Sequence, residues 1–262
     1  MDAEERELLE ETLRKTMTAT PSGGGLDAAL TELGWPDMLA EEPSAAIRAV
    51  FRLLGETGAH APLVNDVLLY EMGRPLGGAL PMPYAGGKWV EWSREATAVG
   101  TAVDPRLPLL SVAEGAPVPL TLGRQALAWW LLGTGHAMLA LARRHVLDRH
   151  QFGRPLASFQ ALRHRLAETL VALEGAEATL VHADGDLSSL LAKAAAGRAA
   201  LTAARHCQQA LGGLGFTAEH PLHRHVKRTL VLDGLLGSTR ELTREAGRVL
   251  ATRGAAPRLV DL

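Results

Sequence analysis

The sequence predicts a mainly α-helical protein, with an up-and-down helical bundle behind a reduced N-terminal helical region and a vestigial β segment. Three observations predict it. Apolar residues recur at helical spacing in segments that open on Ser or Pro and stop at Gly. Seven of the 14 prolines fall within residues 74–119, which excludes a long helix there. Beyond residue 120, long helical patterns are separated by short turns, an arrangement that favours antiparallel neighbours. The chain therefore divides into an N-terminal helical region (1–73), a reduced β/loop segment (74–119) and a C-terminal helical bundle (120–262).

In order along the chain, residues 3–20 read as an amphipathic helix with Leu8, Leu9, Leu13 and Met17 on one stripe. Pro21 and Gly23-Gly24-Gly25 end it. A short helix over 26–33 runs into Gly34-Trp35-Pro36. Ser44 is placed to cap a helix through Leu54, and Pro62 to begin another through Met72. In the proline-rich stretch, 88–92 and 96–103 are short β-prone pieces. Helices follow at about 121–150, 156–183, 188–212, 221–235 and 238–253. Pro155 and Ser158 mark the first junction; Asp184-Gly185-Asp186 is a turn, with Ser188 as a cap. Gly212-Gly213-Leu214-Gly215 stops the third helix, since glycine tolerates the positive φ of a helix end. Residues 254–262 read as a loosely held tail.

Composition narrows the function classes. At 262 residues the chain is long enough for a real hydrophobic core, and a formal net charge of -2 gives no general attraction to nucleic acid or anionic membrane. Cys207 is the single cysteine, so an intrachain disulfide and a multi-Cys metal site are excluded; this fits a reducing, cytoplasmic setting. The first 15 residues lack the apolar stretch of a signal peptide. The most apolar run, 126–142, is short for a bilayer span, contains His136 and meets Arg143 and Arg144 at once, so it reads as a buried helix carrying Trp129 and Trp130.

Three segments carry a resemblance. The first is Asp148-Arg149-His150-Gln151-Phe152-Gly153-Arg154-Pro155-Leu156, followed by Gln160. The second is Gln209-Ala210-Leu211-Gly212-Gly213-Leu214-Gly215-Phe216, followed by Glu219 and Pro221. The third is Glu32-Leu33-Gly34-Trp35-Pro36, then Leu54-Gly55-Glu56 and Gly58. The first resembles the R-x-x-F-G-x-x-[LI] segment of acyl-CoA dehydrogenases and the second their Q-x-x-G-G-x-G-[FY] turn, while the third is similar to the family's opening helices. The resemblance implies FAD as cofactor, with Arg149, Phe152, Gln160, Gln209, Gly212 and Gly213 as its contacts. Arg149 and Gln160 suit the pyrophosphate and adenine end of a dinucleotide. The Gly212-Gly213 pair lets backbone N–H groups approach a phosphate, and Phe152 offers an apolar face. Taken singly, Arg149 is also a solvated charge at a helix end, and the glycines a plain C-cap. In the family these groups reach a flavin held mainly by the neighbouring subunit, which implies an oligomer.

The family oxidises the Cα–Cβ bond of an acyl-CoA thioester, and a carboxylate must remove the weakly acidic α-proton. Counted from the second motif, the usual position of that base falls on Leu236 of Leu236-Gly237-Ser238-Thr239. The alternative position falls on Gly123. Neither can accept a proton; Asp233 and Glu241 lie nearby as substitutes. Residues 74–119 are also too few for the family's middle β-domain. The chain thus looks like the smaller, base-lacking subunit of heteromeric actinobacterial acyl-CoA dehydrogenases, whose partner is a longer homologue carrying the catalytic Glu; by analogy with such enzymes, the resemblance points to a steroid-derived acyl-CoA as substrate. Two other readings stay open. One is a homomeric enzyme using Asp233 or Glu241; the other is a non-enzymatic structural or acyl-CoA-binding partner. His220, His223 and His225 cluster in sequence, but helical geometry sends 223 and 225 to different sides, so no metal site is expected.

Overall fold

The structure, a computed structural model, describes residues 3–95 and 102–256. Five helices open the chain: α1 (Ala3–Ala19), α2 (Gly24–Glu32), α3 (Trp35–Glu41), α4 (Pro43–Thr57) and α5 (Leu63–Glu71). In α1, Leu13 and Met17 are buried while Leu8 faces outward, so the apolar stripe is narrower than the sequence suggests. α3 is a helix that periodicity does not predict. It has seven residues, and Gly34 at a φ of 90° followed by Pro36 reads locally as a turn. Ser44 does not cap α4. Pro43 takes the first helical position, where its missing N–H goes unneeded, and Glu42 precedes it. Pro62 likewise sits just outside α5.

The proline-rich segment forms a three-stranded antiparallel meander, β1 (Pro81–Tyr84), β2 (Lys88–Trp92) and β3 (Leu109–Val112). β2 is the predicted 88–92 strand. The second predicted piece, 96–103, lies mostly outside the described residues. β1 contains two prolines, which a ladder tolerates at its edge. That edge is stitched to the bundle: Leu236 N donates to Pro83 O and Ala85 N to Gly234 O, both at 2.8 Å.

The bundle comprises α6 (Thr121–Asp148), α7 (Gln160–Val181), α8 (Asp186–Leu211), α9 (Leu222–Gly234) and α10 (Thr239–Arg253). Between α6 and α7 lie the two-residue strands β4 (His150–Gln151) and β5 (Arg154–Pro155) and a 3-10 turn, Leu156–Ser158, so α7 starts later than predicted. Ser188 does not cap α8 from its N-terminal side. It sits at the third helical position, and its Oγ accepts from Asp184 N and Gly185 N at 3.1 and 2.9 Å.

Packing joins all three parts of the chain. Trp35 of α3 meets Phe51 of α4, Phe51 meets Trp130 of α6, and Trp92 of β2 stacks on Trp130 with centroids 5.6 Å apart. Trp35, Trp92 and Trp130 are fully buried. α4 crosses α6 at backbone contact: a Cβ on Gly55 would stand 2.5 Å from Thr134 N.

A buried charge cluster lies beside Trp130. Arg228 Nε donates to Asp104 Oδ2 at 2.6 Å, and its Nη1 donates to Ala59 O at 3.1 Å. Two imidazoles share this neighbourhood, and each is pushed down to about 4. For His60 the causes are burial first, then Arg228 and Arg106 against Asp104; for His225 they are burial, then Arg228, Arg224 and His223. Both rings are therefore neutral in the folded protein at neutral pH. Stability is fully present above the ordinary histidine value of about 6.5, and is lost as pH falls towards 4 because the unfolded chain takes up protons first. The loss should be roughly 2–3 kcal/mol for each ring by pH 4. A urea midpoint that falls over this window, less steeply in His225→Phe, is the expected measurement.

Candidate functional site

The motif residues gather at one end of the bundle, where α6 ends, α7 begins and α8 ends. Arg149 follows α6 directly, and its backbone N donates to His145 O at 2.9 Å. Phe152 and Gly153 form the two-residue turn of the β4–β5 hairpin, with φ of 56° and 77°. A left-handed φ at a phenylalanine is strained, yet its ring gains little within this chain. It is 89% exposed and makes an edge contact with Phe159 at 6.1 Å. Gln160 is the first residue of α7, and Arg149, Gln160 and Gln209 are all exposed.

The glycine turn separates into two kinds of residue. Gly212 needs its φ of 59° to leave α8, and a Cβ on it or on Gly213 would meet nothing within 4 Å. Gly215 is different, because a Cβ there would stand 2.5 Å from Gln208 O. Gly215 serves the chain's own packing, while Gly212 and Gly213 leave backbone facing open space. Exposed guanidinium and amide groups, bare backbone and an unsupported aromatic ring together suit the phosphate and adenine end of a dinucleotide.

The second place of interest lies at the other end of α6. Gly123 and Leu236 face one another: a Cβ on Gly123 would stand 2.9 Å from Leu236 Cδ1 and 2.6 Å from Leu68 Cδ2. Leu236 is buried and held at a φ of 57°. Lys193, fully buried in α8, donates to Asp233 O at 3.0 Å and Gly237 O at 2.6 Å, bracketing Leu236. Burial pushes its ammonium down to about 7. Arg124 Nε adds a long bond to Leu236 O at 3.4 Å.

The nearby carboxylates are engaged. Asp233 Oδ1 accepts from Thr239 N at 3.2 Å and Thr239 Oγ1 at 2.5 Å. Glu241 completes a capping box with Ser238, accepting from Ser238 N at 3.0 Å, and its other oxygen accepts from Gly86 N at 2.8 Å. These bonds, with Gly86 first, hold Glu241 below the usual carboxylate range. Glu241 is thus half-buried and bonded on both oxygens, not simply solvated. Glu71 caps the start of α6 through Thr121 N and Leu122 N, each at 3.1 Å; burial, against these bonds, pushes it up. Neither Lys193 nor Glu71 stands out by motif. Lys193 does leave a signal, a single charge within Leu-Leu-Ala-Lys-Ala-Ala-Ala.

A groove of about 640 Å³ between α1, α4 and the Gln125–Trp129 part of α6 contains none of these residues. Ion pairs between Arg52 and both Glu56 and Glu177 run along it. Among the described residues no helix is long and apolar enough to cross a membrane, and no group of three or more His, Cys, Asp or Glu could hold a metal ion. His223 is turned to His220 O, with its Nδ1 at 2.7 Å.

Comparison with known proteins adds the following. Acyl-CoA dehydrogenase IpdE2 of Mycobacterium tuberculosis is 34% identical over 168 residues, covering 60% of this chain and 53% of its own length. The chain thus spans about half the length of that curated relative. The fold is similar to that of a Tcur3481-Tcur3483 steroid ACAD variant, with a TM-score of 0.75 and 19% identity over 97% of this chain and 99% of that one. It is also similar to a chain of the ChsE4-ChsE5 complex from Mycobacterium tuberculosis, with a TM-score of 0.64 and 19% identity over 98% and 99% of the two chains. The sequence pattern described as "Acyl-CoA dehydrogenase, C-terminal domain" matches residues 115–250. Because that match takes in just over half of the residues, with both motif turns and the segment around Leu236, the chain belongs to the acyl-CoA dehydrogenase family.

Proposed function

We propose that this protein is the base-lacking subunit of a hetero-oligomeric, FAD-dependent acyl-CoA dehydrogenase, lending flavin contacts to a longer partner chain that carries the catalytic Glu. The observation that carries the reading is the pairing of Leu236 with Gly123. Both positions that would supply a base lack one, and leucine side chains fill the space between them. Glu241, bonded on both oxygens, supports the same reading, since a base needs a free oxygen within reach of the proton it takes; Asp233 is bonded through Oδ1 alone.

Geometry also favours a borrowed cofactor. At 1.5 Å per residue, Gly123 and Arg149 stand ~38 Å apart along α6. One extended dinucleotide cannot touch both, so Arg149, Phe152, Gln160, Gln209, Gly212 and Gly213 would hold a flavin that does not reach this chain's own Gly123 and Leu236. When bound, FAD supplies the acceptor for the hydride that leaves Cβ. This chain orients the adenine and diphosphate end and keeps its own leucine-filled centre closed. A steroid-derived acyl-CoA is the favoured substrate class, because a fold neighbour is a steroid ACAD.

Co-expression with a longer homologue bearing an intact Glu should yield a yellow complex. Arg149→Ala should weaken its FAD binding roughly 10–100-fold, the worth of one charge-assisted hydrogen bond. Unchanged flavin content would sink the reading. Turnover by this chain purified alone would favour a homomeric enzyme, and a flavin-free complex a purely structural partner.

A further inference from the structure

α4 forms the floor of the groove of about 640 Å³, with α1 as one wall and the Gln125–Trp129 part of α6 and the end of α7 as the other. Its volume is that of a small-molecule site, roughly 300–1,000 Å³. Gln125 and Trp129 lie about 200° and 240° round α6 from Gly123, so the groove opens on the side away from the leucine-filled centre. Ala45 and Ala49 keep the floor low, while Leu9 of α1 and Val181 of α7 supply apolar walls. Val181 is half exposed there.

The charges around the groove are not equally committed. Arg14 and Arg52 both donate to Glu56, at 2.5 and 3.0 Å, and Arg52 also donates to Glu177 Oε1 at 3.0 Å. Arg48 is the exception. Its guanidinium carbon lies 4.9 Å from the centre of the buried Trp129 ring. Among the described residues its one hydrogen bond is 3.4 Å long, from Nη2 to the Glu177 oxygen that Arg52 already holds. A guanidinium carries more N–H donors than that bond uses, in a planar fork, and here the fork rests on an apolar plate. Glu10 and Glu41 also line the groove, so net charge selects no ligand; the spare fork beside an indole does.

We propose that this groove binds an amphipathic carboxylate, with its alkyl chain along the α4 floor between Leu9 and Val181 and its carboxylate on the Arg48 fork beside Trp129. A planar carboxylate matches the unused donors two at a time, and each methylene buried against the walls adds to the affinity. Arg52 still matches Glu177 when Arg48 turns to the ligand, so no charge is left bare. An occupant spans from α1 to α7 across α4 and therefore stabilises the folded chain by mass action. The site lies apart from the flavin-motif turns and does not depend on the subunit reading.

The test titrates the full-length chain calorimetrically with decanoate, kept below its micelle concentration, and with decanol and butyrate for comparison. Decanoate should fill a single site and raise the urea midpoint. Decanol should bind roughly 10–100-fold more weakly, the worth of a charge-assisted hydrogen bond, and butyrate should not bind at the same concentrations. Arg48→Gln should cost decanoate that same factor and leave decanol unchanged, with the urea midpoint of the ligand-free protein kept. Ala49→Phe fills the floor and should abolish both; if it does not fold, Arg48→Gln alone decides. Equal decanoate affinity in Arg48→Gln, decanol bound as tightly as decanoate, binding that survives in a folded Ala49→Phe, or no binding at millimolar decanoate each overturns the proposal.

Discussion

Arg228→Met is expected to lower the unfolding free energy by roughly 3–5 kcal/mol, read as a fall in the urea midpoint. Arg228 and Asp104 have side chains only 5% exposed, and their bond of 2.6 Å joins α9 to the loop before β3. Burial pulls the guanidinium down from its ordinary value, so Asp104 and Ala59 O must offset a large desolvation cost. Methionine keeps much of the volume but strips the buried carboxylate of Asp104 of its hydrogen-bonded counter-charge. Asp104→Leu combined with Arg228→Met should recover most of the loss, because no charge then remains to be solvated. A double variant as unstable as the single one would shift the weight to the lost bond to Ala59 O.

The second large effect is expected from Gly55→Val, at roughly 3 kcal/mol, the upper end of the cost of overpacking. At most crowded positions a side chain moves aside, but here the obstacle is main chain: Thr134 N at 2.5 Å and Gly133 C at 2.7 Å. α4 would have to lift away from α6 and loosen the contact of Phe51 with Trp130. Gly213→Ala is the control. Its Cβ meets open space, so stability should stay within about 0.5 kcal/mol. Equal losses for the two variants in the urea midpoint would mean that the helix crossing is not what Gly55 protects.

These two predictions separate what the sequence discloses from what it conceals. The five bundle helices are legible because each repeats an apolar pattern over many turns and stops at Gly or a polar turn; α9 and α10 fall within a residue or so of their expected bounds. The strand 88–92 is legible by its β-prone residues, Trp89, Val90 and Trp92. α3 is not, because seven residues give too little periodicity and Pro36 reads as punctuation. β1 and β3 are not, because two prolines and short length erase the strand signal. The partnership of Arg228 with Asp104 spans 124 residues, and no local pattern encodes it. The flavin-motif residues are legible as a family resemblance. Their exposure, the strain at Phe152 and the leucine-filled space at Gly123 emerge only when distant segments meet.

The stacked indoles of Trp92 and Trp130 set a limit on how far this chain could shrink. The three-strand meander holds too little chain to be a domain, yet it delivers the aromatic plate that closes the top of α6. Deleting it would leave an indole-sized vacancy and let water reach Trp130 and Phe51. The short middle segment therefore acts as a keel for the helices, mechanical in its duty and out of proportion to its length.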